Sequence, residues 1–189
     1  MKYLKLLILP LLLLVFSFRY AAPLTYSADA NKSMVKWTGH AEAGGYSPSG
    51  TVKVKSGTLT LDGELLVAGK VIIDMPTLSQ SNSEMETHLK GKDFFDVAAY
   101  PEATFTLSAA NGNTVAGTLT IKGISQKIAT PITITKAGDY IILKATLKID
   151  RTKFNIKYNS KSYFQDLGSY AIKNEFDLDI NMVYRQTDT

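Results

Sequence analysis

Apolar and polar positions alternate with a period of two along most of this chain. In Thr114–Gly123, Val115, Gly117, Leu119 and Ile121 share one side, opposite Thr118, Thr120 and Lys122. In Asp139–Asp150, Ile141, Leu143, Ala145, Leu147 and Ile149 face away from Lys144, Thr146 and Lys148. Further on, Phe176, Leu178, Ile180, Met182 and Tyr184 alternate with Asp177, Asp179 and Asn181. Successive side chains of an extended strand point to opposite faces, so the pattern predicts antiparallel strands with one face buried. Similar runs predict strands at Met34–Ala41, Gly50–Lys55, Thr58–Leu61, Leu66–Met75, Ala103–Ala109 and Lys127–Lys136. Turn residues fall between them, at Asp62-Gly63, Asn111-Gly112 and Ala137-Gly138-Asp139, as hairpins require. Only SNSEMETHLKG, starting at Ser81, breaks the period. It predicts one short helix, capped by Ser81 or Ser83, with Glu84 and Glu86 where the helix dipole favours negative charge.

Long strands joined by short turns, with no linker and no internal repeat, predict an all-β fold. Closure into an antiparallel, lipocalin-like barrel of about eight strands removes the exposed edges that an open sheet would carry. A barrel of that size either fills its lumen with side chains or encloses one small ligand. Alternation is the same in both cases.

The chain has 189 residues. Before the strands, Lys2 and Lys5 precede the mostly apolar run Leu6–Phe18, and Ala21 and Ala22 follow. That is the pattern of a signal peptide over residues 1–22, with a barrel domain over 23–189 and a periplasmic or secreted location. The run is short for a membrane span, which takes about 20 apolar residues. N-terminal sequencing of the exported protein should therefore find a start between Ala22 and Ser27. A retained Met1 would indicate an uncleaved anchor.

This leader also changes the charge. Without Lys2, Lys5 and Arg19 the basic count falls from 21 to 18, against 17 acidic residues. A near-neutral domain with scattered lysines lacks the electrostatic footprint of a nucleic-acid binder. Cysteine is absent, so disulfides, a lipid-modified cysteine, thiol catalysis and Cys-ligated metals are all excluded.

One irregular stretch carries two adjacent aromatics: HLKGKDFFDVAAYPEATF, with Phe94 and Phe95 between Asp93 and Asp96. It resembles the central motif of the YceI-like family of exported lipid-binding proteins. Other pieces follow in the family's order: Gly45-Tyr46 with Gly50, GTLTIKGIS, DRTKFNIKY and EFDLDINM. The chain departs from the family at Val52, where an aromatic is common, and at Asn155, where glycine usually follows the phenylalanine. The resemblance implies an extended barrel holding an isoprenoid-type or other long-chain amphiphile in an apolar lumen, with no cofactor. It also admits a homodimer.

On this reading the lumen is lined by Trp37, Tyr46, Phe94, Phe95, Phe105, Phe154 and Ile156, with His40 and Arg151 at a polar mouth. Each has a plainer reading, since cores and apolar pockets use the same residues. Phe94 and Phe95 can fill the core, and Trp37, in phase with Val35, can floor the barrel. Arg151 can be an ordinary strand-end cation. Glu84 and His88 stand four apart on the predicted helix and could share a face. With Glu86 they form a weak acid–base or metal pattern, yet no zinc spacing, nucleophile elbow or phosphate loop accompanies it. An enzyme using His40 or His88, and a filled structural or interaction barrel, are the competing functions.

Overall fold

Among the described residues the alternation becomes ten strands and one α-helix. In chain order these are β1 (Leu24–Ala28), β2 (Met34–Thr38), β3 (Ser49–Asp62), β4 (Leu65–Gln80), α1 (Ser83–Lys90), β5 (Glu102–Asn111), β6 (Thr114–Ile121), β7 (Ile124–Pro131), β8 (Thr133–Ala137), β9 (Tyr140–Asp150) and β10 (Glu175–Gln186). The computed structural model describes residues 22–187. The leader, residues 1–21 of it, lies outside the described residues.

Ten strands fill nine positions along one antiparallel sheet. β1 and β2 are two pieces of one position, because both pair with β10 on one side and β3 on the other. A turn separates them, where Asp29 Oδ1 accepts from the Asn31 and Lys32 amides at 3.1 and 3.3 Å. β7 and β8 are also consecutive, but β7 pairs with β6 and β8 with β9. The strand expected over Lys127–Lys136 is thus divided at Pro131, which has no N–H to place in a ladder. The hydrogen-bonded path runs from β7 round to β8, and the chain joins its two ends through Ile132. This change of partner closes the barrel.

Two strands run further than their patterns predict. β3 passes straight through Ser56-Gly57, where a shift in register absorbs the break in alternation. β4 continues past Pro76 because residues 75–78 bulge out between the Lys53–Asp74 and Thr51–Ser79 pairs. The Lys53 amide, left without a ladder partner there, donates to Thr77 Oγ1 at 2.9 Å. Such bulges bend a strand and increase its twist, which curvature into a barrel requires.

α1 lies across one end of the barrel, where β2, β4 and β9 finish and β3, β5 and β10 begin. Its cap is Asn82, whose side-chain oxygen accepts from the Met85 amide at 2.9 Å, rather than Ser81 or Ser83. Ser83 is already the first helical residue, so only the Asn82 side chain can reach the free amides of the first turn. Glu86 accepts from Lys90 at 2.7 Å and from the Gln80 amide at 3.1 Å, which turns it away from His88. Inside, Val54, Leu59, Leu61, Ile141, Ile149, Met182 and Tyr184 form the buried core.

Candidate ligand-binding site

The helix-covered end is built from four irregular segments, each held by specific bonds. The strap 39–48 follows β2 and lies against the chain entering β10. Lys173 N donates to His40 O at 2.9 Å, Glu42 N donates to Ala171 O at 2.9 Å, and Ala41 bridges Ile172. Beyond α1, residues 91–97 fold back through Phe95 N to Leu89 O at 3.1 Å and Val97 N to Lys90 O at 3.0 Å. After β9 a short 3-10 turn, Arg151–Phe154, ends in Asn155 in the left-handed conformation, φ 59°. Asparagine tolerates that region better than most residues with a Cβ, so it can stand where the family has glycine. The other departure, Val52, is buried opposite Val35.

Arg151 holds two of these segments together. Its Nε, Nη1 and Nη2 donate to the carbonyls of Lys173, Ile156 and Ile172 at 3.0, 2.9 and 3.0 Å. The side chain is buried, and burial pulls its pKa below the ordinary guanidinium value, opposed by the nearby Asp150. His40 plays a similar part on the strap. Its Nε2 lies 2.9 Å from Asp177 Oδ2 and its Nδ1 3.0 Å from Ser47 Oγ. Lys148 Nζ donates to the other oxygen of Asp177 at 2.6 Å. Asp177 is held below the usual carboxylate range, by Lys148 first and His40 after it. With both ring nitrogens engaged, His40 latches the strap to β10.

These segments enclose an outer chamber of about 180 Å³. Its wall combines Trp37, Phe94, Phe95, Ile156, Tyr158, Ile172 and Phe176 with Met85, His88 and Leu89 of α1. Tyr46, Lys173 and Glu175 also line it and are exposed, so the chamber reaches the surface. His88 packs edge-on against Phe94 and Tyr158, with centroids 5.1 and 4.5 Å away, and belongs to the aromatic wall. Phe95 and Phe176 meet edge to face at 6.4 Å.

A second, inner chamber of about 150 Å³ lies further along the barrel from α1, lined by Val35, Val71, Phe105, Leu147, Leu178 and Ile180 among others, with the exposed Thr58 and Lys70 also on its wall. The strands show how the two are arranged. Along β10, Phe176 lines the outer chamber and the next inward residues, Leu178 to Tyr184, line the inner one. On β2, Trp37 and Val35 divide in the same way. The chambers therefore stand end to end along the barrel, with Trp37, which pairs with Leu178, at their boundary. The Trp37 indole lies over Gly50, where a Cβ would come within 2.8 Å of the ring. Its Nε1–H is buried without a hydrogen-bond partner.

Of the residues expected to line the lumen or mouth, Trp37, His40, Tyr46, Phe94, Phe95, Arg151 and Ile156 all line the outer chamber. Phe105 lines the inner one, its ring lying against Gly117 of the neighbouring strand, where a Cβ would collide with it. Phe154 is 2% exposed in the core and lines neither. Three donors of Arg151, placed at the mouth by the sequence, are occupied by backbone carbonyls. Sequence reasoning missed Met85, Leu89, Tyr158 and Ile172, which lie in irregular or helical segments where a period of two gives no signal. Among the described residues no group of His, Asp or Glu is placed to hold a metal ion.

Fold and site together describe a closed antiparallel barrel with a surface-reaching apolar interior. The YceI-like domain family matches residues 26–184, and the chain belongs to that family. A UPF0312 protein of Pseudomonas savastanoi pv. phaseolicola is 34% identical over 96 residues, covering 47% of this chain and 50% of the relative. Protein YceI of Escherichia coli O157:H7 is 31% identical over 120 residues, covering 57% and 63%. The chain spans about 46–63% of the length of such curated relatives. Burkholderia cenocepacia BcnA has a similar structure, with 26% identity and a TM-score of 0.69 over 82% of this chain and 98% of that one. So has a polyisoprenoid binding domain from Saccharophagus degradans, implicated in plant cell wall breakdown, with a TM-score of 0.66 over 87% and 99%. At 16% identity that second likeness is one of fold alone.

Proposed function

We propose that this protein holds a long-chain amphiphile of isoprenoid type, and carries or sequesters it outside the cytoplasm. The observation that carries this reading is the pair of apolar chambers standing end to end, the outer one reaching the surface. A tail reaching the inner chamber exchanges water for aliphatic walls at about 0.8 kcal/mol per CH₂, or about 4 kcal/mol gross for each five-carbon unit. That is useful affinity even after the ordering of the tail is subtracted. The Saccharophagus degradans polyisoprenoid binding domain shows that this fold can hold such a cargo. The N-terminal leader pattern supports an exported carrier.

The test is to purify the protein from its host, extract it with organic solvent and weigh both protein and extract by mass spectrometry. The expected result is one long-chain amphiphile per chain. Protein that carries no lipid, and takes up none when offered a polyprenol, would sink the reading.

A further inference from the structure

The segment between β9 and β10 does more than wall the outer chamber. From Lys153 to Lys173 it carries four lysines, Lys153, Lys157, Lys161 and Lys173, against one acidic residue, Asp166. It also presents three large aromatics to solvent: Tyr163 at 49%, Phe164 at 50% and Tyr170 at 78% exposure. The backbone beneath them is hydrogen-bonded. Ser160 is fully buried, its hydroxyl donating to Asn174 Oδ1 at 2.6 Å, and its carbonyl accepts from the amides of Tyr163 and Phe164 at 3.0 and 2.9 Å. Glu42 N on Ala171 O brings the strap alongside, and with it Tyr46, 60% exposed and itself a wall of the chamber. Lys157 Nζ sits 4.6 Å above the Tyr163 ring.

Exposed aromatics interspersed with lysines do nothing for the barrel's own core. They suit a bilayer interface, where amphipathic rings settle at headgroup level and lysines meet anionic phosphates. The opposite end of the barrel provides an internal contrast. Leu65 and Val67 are 70% and 52% exposed there, but the hairpin they follow carries Asp62 and Glu64, which repel an anionic surface. The lysine excess of residues 153–173, four against one, therefore favours the chamber end, offset in part by Glu42 and Glu175 beside it.

We infer that the aromatic–lysine rim docks on the surface of a bilayer rich in anionic phospholipid, with the outer chamber facing the membrane. This rests on the proposed cargo: a docked mouth lets an amphiphile pass between bilayer and barrel without its tail crossing water.

The experiment is co-sedimentation of the protein, as its host produces it, with vesicles of phosphatidylglycerol and phosphatidylethanolamine or of phosphatidylcholine alone. Binding to the anionic vesicles should be at least tenfold stronger and should weaken as salt is raised. The triple variant Tyr163→Ser, Phe164→Ser, Tyr170→Ser should lose at least tenfold of that binding, and Lys157→Gln with Lys161→Gln a smaller, salt-sensitive part. Leu65→Ser with Val67→Ser should bind as the parent does. Equal binding to both vesicles, an unchanged triple variant, or a loss confined to the Leu65 and Val67 variant would each overturn the inference. Extractable lipid is measured on every variant. Vesicle binding lost with cargo intact confirms the rim as a docking surface. A protein without cargo that still binds anionic vesicles through the rim would leave the docking standing and remove the cargo reading.

Discussion

Arg151→Ala is expected to lower the unfolding free energy by about 3–5 kcal/mol, because the buried carbonyl of Ile156 and the half-buried carbonyls of Ile172 and Lys173 lose their donors. Each carbonyl loses a charge-assisted bond, and the three losses overlap because they share one guanidinium. For a domain of this size the change corresponds to a fall in Tm of about 10 °C. Arg151→Lys should recover little, since a single ammonium on a flexible stem cannot spread donors over three carbonyls as the planar guanidinium does. Burial lowers the pKa of Arg151, yet its ordinary value is so high that the cation persists at any pH the fold survives. Thermal unfolding by circular dichroism decides the matter. Full rescue by lysine would show that one contact, rather than the three-way staple, carries the stability. Since the staple joins two walls of the outer chamber, a folded Arg151 variant should also retain less lipid.

Ala145→Phe should have the opposite signature, loss of cargo with little loss of fold. Ala145 faces the inner chamber from β9, opposite Ile180 of β10. In a filled core, adding six carbons would cost about 1–3 kcal/mol or more. Here the ring has a chamber of about 150 Å³ to enter. If the ligand tail occupies that space, excluding about five of its carbons forfeits about 4 kcal/mol, roughly a thousandfold in affinity. We therefore expect Tm within a few degrees of the parent and lipid nearly absent from the organic extract. Unchanged lipid would confine the ligand to the outer chamber. Failure to fold would show that the inner walls cannot part to admit a side chain.

Together the two variants separate the roles of mouth and lumen. Arg151 acts on the frame around the entrance, and Ala145 on the volume behind it. A ligand held only by the outer chamber responds to the first and ignores the second.

Local chemistry decided what the sequence alone could reveal. The period of two along β6, β9 and β10 named the inward side chains, because a strand's geometry sends every second residue to the same face. Glycine and Asn-Gly or Asp-Gly turns marked where the chain reverses. Phe94 and Phe95 were legible as a site because two aromatics in a charged loop have no other use than a core or a pocket. Other features needed partners distant in the chain. His40 meets Asp177 across 137 positions, and Arg151 finds its carbonyls up to 22 residues away. β7 and β8 form a single alternating run, and only the placement of β6 and β9 beside it shows that it changes neighbours at Pro131. Whether inward residues leave a chamber or fill the space depends on the volume left when all the strands close. The same apolar pattern stabilises a packed barrel and a hollow one, so tertiary structure alone made Phe105 a chamber wall and Phe154 core.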